Sequence, residues 1–219
     1  MSLKARIAEI PSLSSWNGFN NENLSQVEHF YELLKAENQV QNLTKLDSID
    51  DFIDGHLFDC VEVLKSNLLK KRCLDIGSGG GVPGLLCAIL DMNTWVLTES
   101  EKRKADFIGR AAGELGLSDR VSVFPGRAEI FLEDTEIDTL TSRAIGSLEK
   151  NLELIGHCST WNNLILFKGP KWAEEVKCIK YEKWKKRFAL GTEISYETPI
   201  HMKQRIIAEI RIVPRGTKF

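Results

Sequence analysis

The residues with most chemical potential lie in the run Asp75-Ile76-Gly77-Ser78-Gly79-Gly80-Gly81-Val82-Pro83-Gly84. A short apolar segment ending at Ile76 leads into it and an apolar helical segment follows. Glycines at such a strand-to-helix turn let the backbone approach a ligand closely, and the helix beyond offers free N–H groups. Glu99 ends the next apolar run, where a carboxylate can accept hydrogen bonds from both hydroxyls of a ribose. Together they point to a nucleoside-containing ligand. Gly79, Gly81 and Gly84 also satisfy the dinucleotide fingerprint. Asp75, two residues before the first glycine, sits badly beside a pyrophosphate but suits S-adenosylmethionine, which has no phosphate and carries a cationic sulfonium and ammonium. A P-loop is excluded because Leu85 and Leu86 stand where Lys and Ser or Thr are required. His29, His56, His157 and His201 form no metal spacing, and there is no Gly-x-Ser-x-Gly elbow, so zinc and hydrolase readings have no support.

The elements that must position these residues follow from periodicity. Leu24, Val27, Phe30, Leu33 and Leu34 recur at helical spacing, as do Ile49, Phe52, Ile53, Leu57, Cys60, Val61 and Leu64, predicting two opening amphipathic helices. Ser48 and Asp51 read as a capping box for the second. Strands are predicted at Cys73–Ile76, Thr94–Thr98, Val121–Phe124, Thr139–Ser142 and Leu164–Phe167, with helices near 82–91, 102–116, 146–156 and 171–187. Such alternation predicts an α/β chain with a mainly parallel, doubly wound sheet. Two further strands around a turn near Pro199 predict an antiparallel edge hairpin. The organisation is thus a helical extension over residues 1–70 followed by a Rossmann-like domain over 71–219.

The chain has 219 residues, 42% hydrophobic and 27% charged, close to soluble globular averages. Its longest strongly apolar stretch, Val82 to Leu90, is about half of what a membrane helix needs. No secretory leader is expected, because no apolar run follows Lys4 and Arg6. Cys60, Cys73, Cys87, Cys158 and Cys178 form an odd, widely spaced set without a Cys-x-x-Cys pair, which predicts reduced thiols in a cytoplasmic protein. The net charge of −2 hides an asymmetry. Residues 1–66 carry −6, residues 67–167 carry −3, and residues 168–219 carry +7. The densest basic cluster, Lys177, Lys180, Lys183, Lys185, Lys186 and Arg187, is interleaved with Tyr181 and Trp184. It reads either as a solvated helix face or as a phosphate-contacting stripe.

These residues resemble the RsmG (GidB) methyltransferases, which move a methyl group from S-adenosylmethionine to N7 of one guanine in small-subunit ribosomal RNA. The resemblance spans about residues 23 to 213. It rests on Asn42-Leu43-Thr44 with His56 and Asp59, the glycine run with its Pro83-Gly84 ending, and Glu99-Ser100 with Arg103-Lys104. Arg127-Ala128-Glu129, Ser142-Arg143-Ala144, Lys168-Gly169 and Arg205 continue it in order. Three positions depart from the family pattern: Glu37 for a usual tryptophan, Gly55 where arginine is common, and Val82 for a larger side chain.

The resemblance implies a class I S-adenosylmethionine-dependent methyltransferase. Its cofactor would be held by Asp75, Gly77, Ser78, Gly79, Val82, Glu99, Ser100, Ala128, Glu129 and Arg143, with Ala128 and Glu129 at the adenine. Arg103, Lys104, Arg143, Lys168 and Arg205 would face RNA, the partner being ribosomal RNA or a ribosomal particle. No metal, no membrane and a monomeric state are expected. Ser142-Arg143-Ala144-Ile145 stands where amine methyltransferases carry an Asn/Asp-Pro-Pro-aromatic element, and no activated thiol is visible for carbon methylation. A ring nitrogen with an exposed lone pair needs only to be held in line with the methyl group, so no catalytic side chain is expected. A methyltransferase of a small molecule or protein, a nicotinamide-dependent oxidoreductase and an inactive cofactor-binding regulator remain alternatives.

Overall fold

The computed structural model of the chain describes residues 1–45, 48–178, 184 and 187–213. Seven strands form one sheet: β1 (Arg72–Ile76), β2 (Thr94–Thr98), β3 (Val121–Phe124), β4 (Ile137–Arg143), β5 (Trp161–Lys168), β6 (Phe188–Glu197) and β7 (Gln204–Ile212). Their order is β3-β2-β1-β4-β5-β7-β6. The first five run parallel and the last two antiparallel. The order reverses at β1 and β4, and ligands bind beyond the strand ends at such a switch point.

All five predicted parallel strands form, with small differences at their ends. The closing hairpin also forms, but β7 enters the sheet beside β5, which leaves the earlier strand β6 on the edge. Two short helices, α1 (Leu3–Glu9) and α2 (Pro11–Ser14), precede the helix expected to open the protein. The side chain of Ser2 caps the first, and Glu28 accepts the Leu3 N–H at 3.0 Å. Helix α3 (Asn21–Gln41) carries the first predicted stripe and opens with a reciprocal Asn20–Asn23 capping box. The second predicted helix is interrupted: α4 (Ile49–Phe52) runs into a π-helical turn, Ile53–Leu57, and then α5 (Phe58–Lys65). Ser48 accepts from the Asp51 N–H as expected, while the Asp51 carboxylate takes the Ser48 hydroxyl.

Helices α6 (Gly84–Leu90) and α7 (Lys102–Glu114) cover one face of the sheet, together with the N-terminal helices. Helices α8 (Ala128–Phe131), α9 (Leu148–Ile155) and α10 (Trp172–Cys178) contribute Ala128, Leu148 and Trp172 to the second hydrophobic cluster. The helix expected over 171–187 is described only as α10; residues 179–183, 185 and 186, with four lysines of the basic cluster, lie outside the described residues. Alternation sorts the strand side chains. In β5, Ile165 and Phe167 join the first cluster and Leu164 and Leu166 the second. The first cluster runs without a break from Leu3 to Ile207, so the helical extension shares its core with the sheet. No helix among the described residues is long and apolar enough to cross a membrane.

Gly84 shows how tight this packing is under the glycine run. A Cβ there would lie 2.3 Å from Leu97 Cδ2 and 2.7 Å from Asp75 Cβ, both within the buried interior. Gly84→Ala is expected to destabilise the fold by about 1–3 kcal/mol through overpacking. Denaturant unfolding measures this, and an unchanged midpoint would show that the helix can back away from β1.

Candidate active site

The loop after β1 carries positive φ at Gly77 (63°), Gly79 (56°) and Gly81 (87°), conformations in which a side chain is strained. Buried acids hold it. Asp75 is fully enclosed: Oδ1 accepts the Thr141 hydroxyl at 2.7 Å and Oδ2 the Gly84 N–H at 3.2 Å. Burial pushes its carboxyl up to about 6, against the hydrogen bonds that favour the ionised form. Glu99, also buried, accepts from the Gly79 N–H at 3.0 Å and from the Glu101 N–H at 2.8 Å. The two acids that the sequence places at the strand ends therefore hold the loop at Gly79 and Gly84.

Two cavities flank this loop, and both are lined by Gly77 and Ala144. The larger, about 330 Å³, is walled by Thr98, Ser100, Ala128, Glu129 and Lys150 among others. The smaller, about 170 Å³, is walled by Thr44, His56, Ser78, Gly79, Val82 and Arg143 among others. Ala144 has φ of 61°, unusual for a residue with a side chain, and it turns the chain sharply after β4. A Cβ on Gly77 would fall 2.7 Å from Ile145 Cδ1, so only glycine leaves this junction open.

The smaller cavity is backed by a polar cluster. Arg143 donates to His56 Nδ1 at 3.0 Å and to the Gly55 carbonyl, and lies 3.7 Å from Asp59. Arginine only donates, so Nδ1 must accept, which leaves the His56 proton on Nε2, 3.2 Å from the Thr44 hydroxyl. Burial first, and Arg143 second, push the imidazolium pKa well below its usual range, so the ring is neutral. Asp59 in turn accepts the Tyr196 hydroxyl at 2.6 Å. Burial raises the Asp59 carboxyl, opposed by Arg143 and Tyr196.

The expected site residues divide accordingly. Gly77, Ser78, Gly79, Val82, Ser100, Ala128, Glu129 and Arg143 line the paired cavities. Asp75 and Glu99 lie behind the loop and hold it. Arg127 and Glu129 form an ion pair at 3.7 Å. Of the expected RNA-facing cations outside the cavities, Arg103 is exposed and Lys104 pairs with Glu101 at 2.7 Å. Lys168 points inward instead, donating to the Gly146 carbonyl at 2.7 Å and to Glu175 at 2.8 Å, because a buried ammonium needs partners. Arg205 is half-buried, and its Nε has no hydrogen-bond partner among the described residues. Sequence reasoning did not single out Tyr196, Thr141 or Asp54. Their roles arise from pairings across the sheet, which no local motif announces.

The sheet order and the paired cavities at its switch point define a Rossmann-like methyltransferase fold. Among solved structures, Mycoplasma capricolum TrmK in complex with S-adenosylhomocysteine superposes with a TM-score of 0.54 at 17% identity, covering 70% of this chain and 67% of that one. Ribosomal RNA small subunit methyltransferase G of Solibacter usitatus is 34% identical over 182 residues, covering 82% of this chain and 86% of the relative. The enzyme of the same name from Ruegeria sp. is 36% identical over 163 residues, covering 72% and 78%. The family model described as rRNA small subunit methyltransferase G matches residues 23–197. The chain belongs to this family.

The neutral His56 ring is directly observable. Its ¹⁵N shifts are expected to report a neutral, Nε2-protonated imidazole throughout the range in which an ordinary histidine titrates. A ring that titrates near 6.5 would show that Arg143 does not donate to it.

Proposed function

We propose that this chain transfers a methyl group from S-adenosylmethionine to N7 of a guanine in small-subunit ribosomal RNA. The observation that carries the cofactor part is the pair of cavities meeting at Gly77 and Ala144, with Asp75 and Glu99 fixed behind the loop between them. This is a poor setting for a pyrophosphate and a good one for a cationic ligand, since buried carboxylates repel phosphate and attract positive charge. The larger cavity, with Ala128 and Glu129, would take the adenosine. The smaller, with Gly79 and Arg143, would take the amino-acid end. Glu99 already accepts two backbone N–H groups, and with its remaining lone pairs it would accept the ribose hydroxyls. When bound, the cofactor supplies an electrophilic methyl group on its sulfonium. Family membership supports ribosomal RNA as the acceptor over a small molecule or protein.

The acceptor atom is inferred from what the cavity wall lacks. Among the described residues lining the smaller cavity, the titratable side chains are His56 and Arg143. The His56 Nδ1 lone pair is taken by Arg143, and arginine does not deprotonate in proteins, so neither acts as a base. N7 of guanine carries no proton and needs none removed. The reacting base gains positive charge, which Arg143 alone would oppose, but Asp59 lies beside that guanidinium and offsets it. Arg143 is then free to orient a phosphate, a base edge or the cofactor carboxylate. Arg103 and Lys104 would contact the RNA backbone beyond the cavity rim, as would the basic cluster between Lys177 and Arg187.

Glu99→Ala is expected to weaken binding of S-adenosylhomocysteine by about 1.5–3 kcal/mol, because the ribose loses its acceptor and the Gly79 N–H its anchor. Calorimetry on a variant shown to be folded measures this, and unchanged affinity would reject the site. Single-turnover methylation of saturating ribosomal particles is expected to vary little across about pH 6.5–8.5. Below about 6 it should fall as Asp75 takes up a proton and its negative charge near the cationic cofactor is lost. A log-linear rise of slope near one through the neutral range would point to a deprotonation and so to a different acceptor atom. Mass mapping of guanines in ribosomal RNA, with and without the protein, identifies the product.

A further inference from the structure

Arg143 is the cation on the wall of the smaller cavity, and what fixes it lies outside the cavity. Asp59, at the start of α5, stands 3.7 Å from the guanidinium and is almost fully buried. The other oxygen of that carboxylate accepts the hydroxyl of Tyr196 at 2.6 Å, the shorter of the two contacts. Tyr196 belongs to β6, the edge strand, and neither cavity flanking the loop includes it. Its ring packs against Phe58, with centroids 5.9 Å apart. The hairpin tip beyond Tyr196 is tied to the same π-helical turn. Asp54 accepts from the Thr198 hydroxyl, the Ile200 N–H and the His201 N–H, at 2.8, 3.0 and 2.6 Å.

We infer that Tyr196 is a positioning residue for methyl transfer: its hydroxyl holds the Asp59 carboxyl in place beneath Arg143, and thereby sets the direction and the charge environment of the guanidinium at the cavity. This rests on the reading of Arg143 as part of the cofactor and substrate site. The groups facing Asp59 are Arg143 from β4, Tyr196 from β6, Arg205 from β7 and Asp54 from the π turn. Desolvation drives the Asp59 carboxyl toward its neutral form, and Asp54 adds to this. Arg143, the Tyr196 hydroxyl and Arg205 oppose it. Removing the hydroxyl tips that balance toward protonation. A neutral Asp59 leaves the Arg143 charge uncompensated just where the reacting base becomes positive. A carboxyl whose pKa rises is lost as a counter-charge when the pH falls through the new value, and recovered above it.

The test compares single-turnover methylation of ribosomal particles by the full chain and by Tyr196→Phe, from pH 5 to 9. The variant is expected to lose rate at the acid end of the range at pH values where the unmodified chain, limited there by Asp75, still holds full rate, because losing a hydrogen bond to the carboxylate raises the Asp59 carboxyl. By pH 9 its rate should return to within about threefold of the unmodified chain. A merely structural role would lower the rate equally at all pH values, and profiles that stay parallel would overturn the inference. Asp59→Asn mimics the protonated state, so it should be slow at every pH, and adding Tyr196→Phe to it should slow it no further. A wild-type rate in Asp59→Asn would also overturn it. Arg143→Ala separates the underlying reading. If that variant keeps full rate and S-adenosylhomocysteine affinity, the site assignment fails and this proposal with it. If it is inactive while Tyr196→Phe follows the unmodified chain at every pH, the site stands and only the role of Tyr196 falls.

Discussion

The contact on which the remaining architecture depends is the one between Arg143, at the end of β4, and the π-helical turn Ile53–Leu57. A guanidinium presents five donors and no acceptor, and it cannot shed its proton to escape burial. It must therefore find acceptors, and the turn supplies the Gly55 carbonyl, His56 Nδ1 and, just beyond, Asp59. The widened turn brings Asp54, His56 and Asp59 to buried positions within six residues. Such insertions recur at functional sites. One arginine thus joins the helical extension, the switch point of the sheet and, through Tyr196, its antiparallel edge.

The glycine loop is governed by the opposite charge. Asp75 and Glu99 are both buried, and backbone N–H groups and hydroxyls reach their carboxyl oxygens. These acids tie the loop at Gly79 and Gly84, and such preorganisation lowers the ordering cost of binding. The left-handed turn at Ala144 adds strain at the same place, and strained backbone tends to collect where geometry serves chemistry.

Departures from the family pattern have local accounts. Glu37, where a tryptophan is usual, accepts from Arg110 at 2.7 Å and from Gln41, so a polar bridge between α3 and α7 occupies that position. Gly55 replaces a common arginine and contributes its carbonyl to Arg143. Val82 lines the smaller cavity, and its modest side chain leaves room there. The surplus of cations is partly consumed inside the fold, where Lys168 pairs with Glu175.

The sequence by itself determined the parallel sheet, the place of the glycine loop and the two acids beside it. Strand alternation, helical spacing and the strain of positive φ are local constraints, written over a few residues each. It could not show which way those acids face. Asp75 was expected to meet the ligand's charge and instead bonds Gly84 and Thr141, because the partner that turns it inward lies 66 residues away on β4. Lys168 likewise reads as an RNA contact until Gly146 and Glu175 are seen around it. The π turn, the insertion of β7 inside β6 and the line from Tyr196 to Arg143 are decisions of tertiary structure alone. Each is fixed by the need to satisfy a buried charge with donors and acceptors from distant strands, and spacing along the chain carries no record of such pairings.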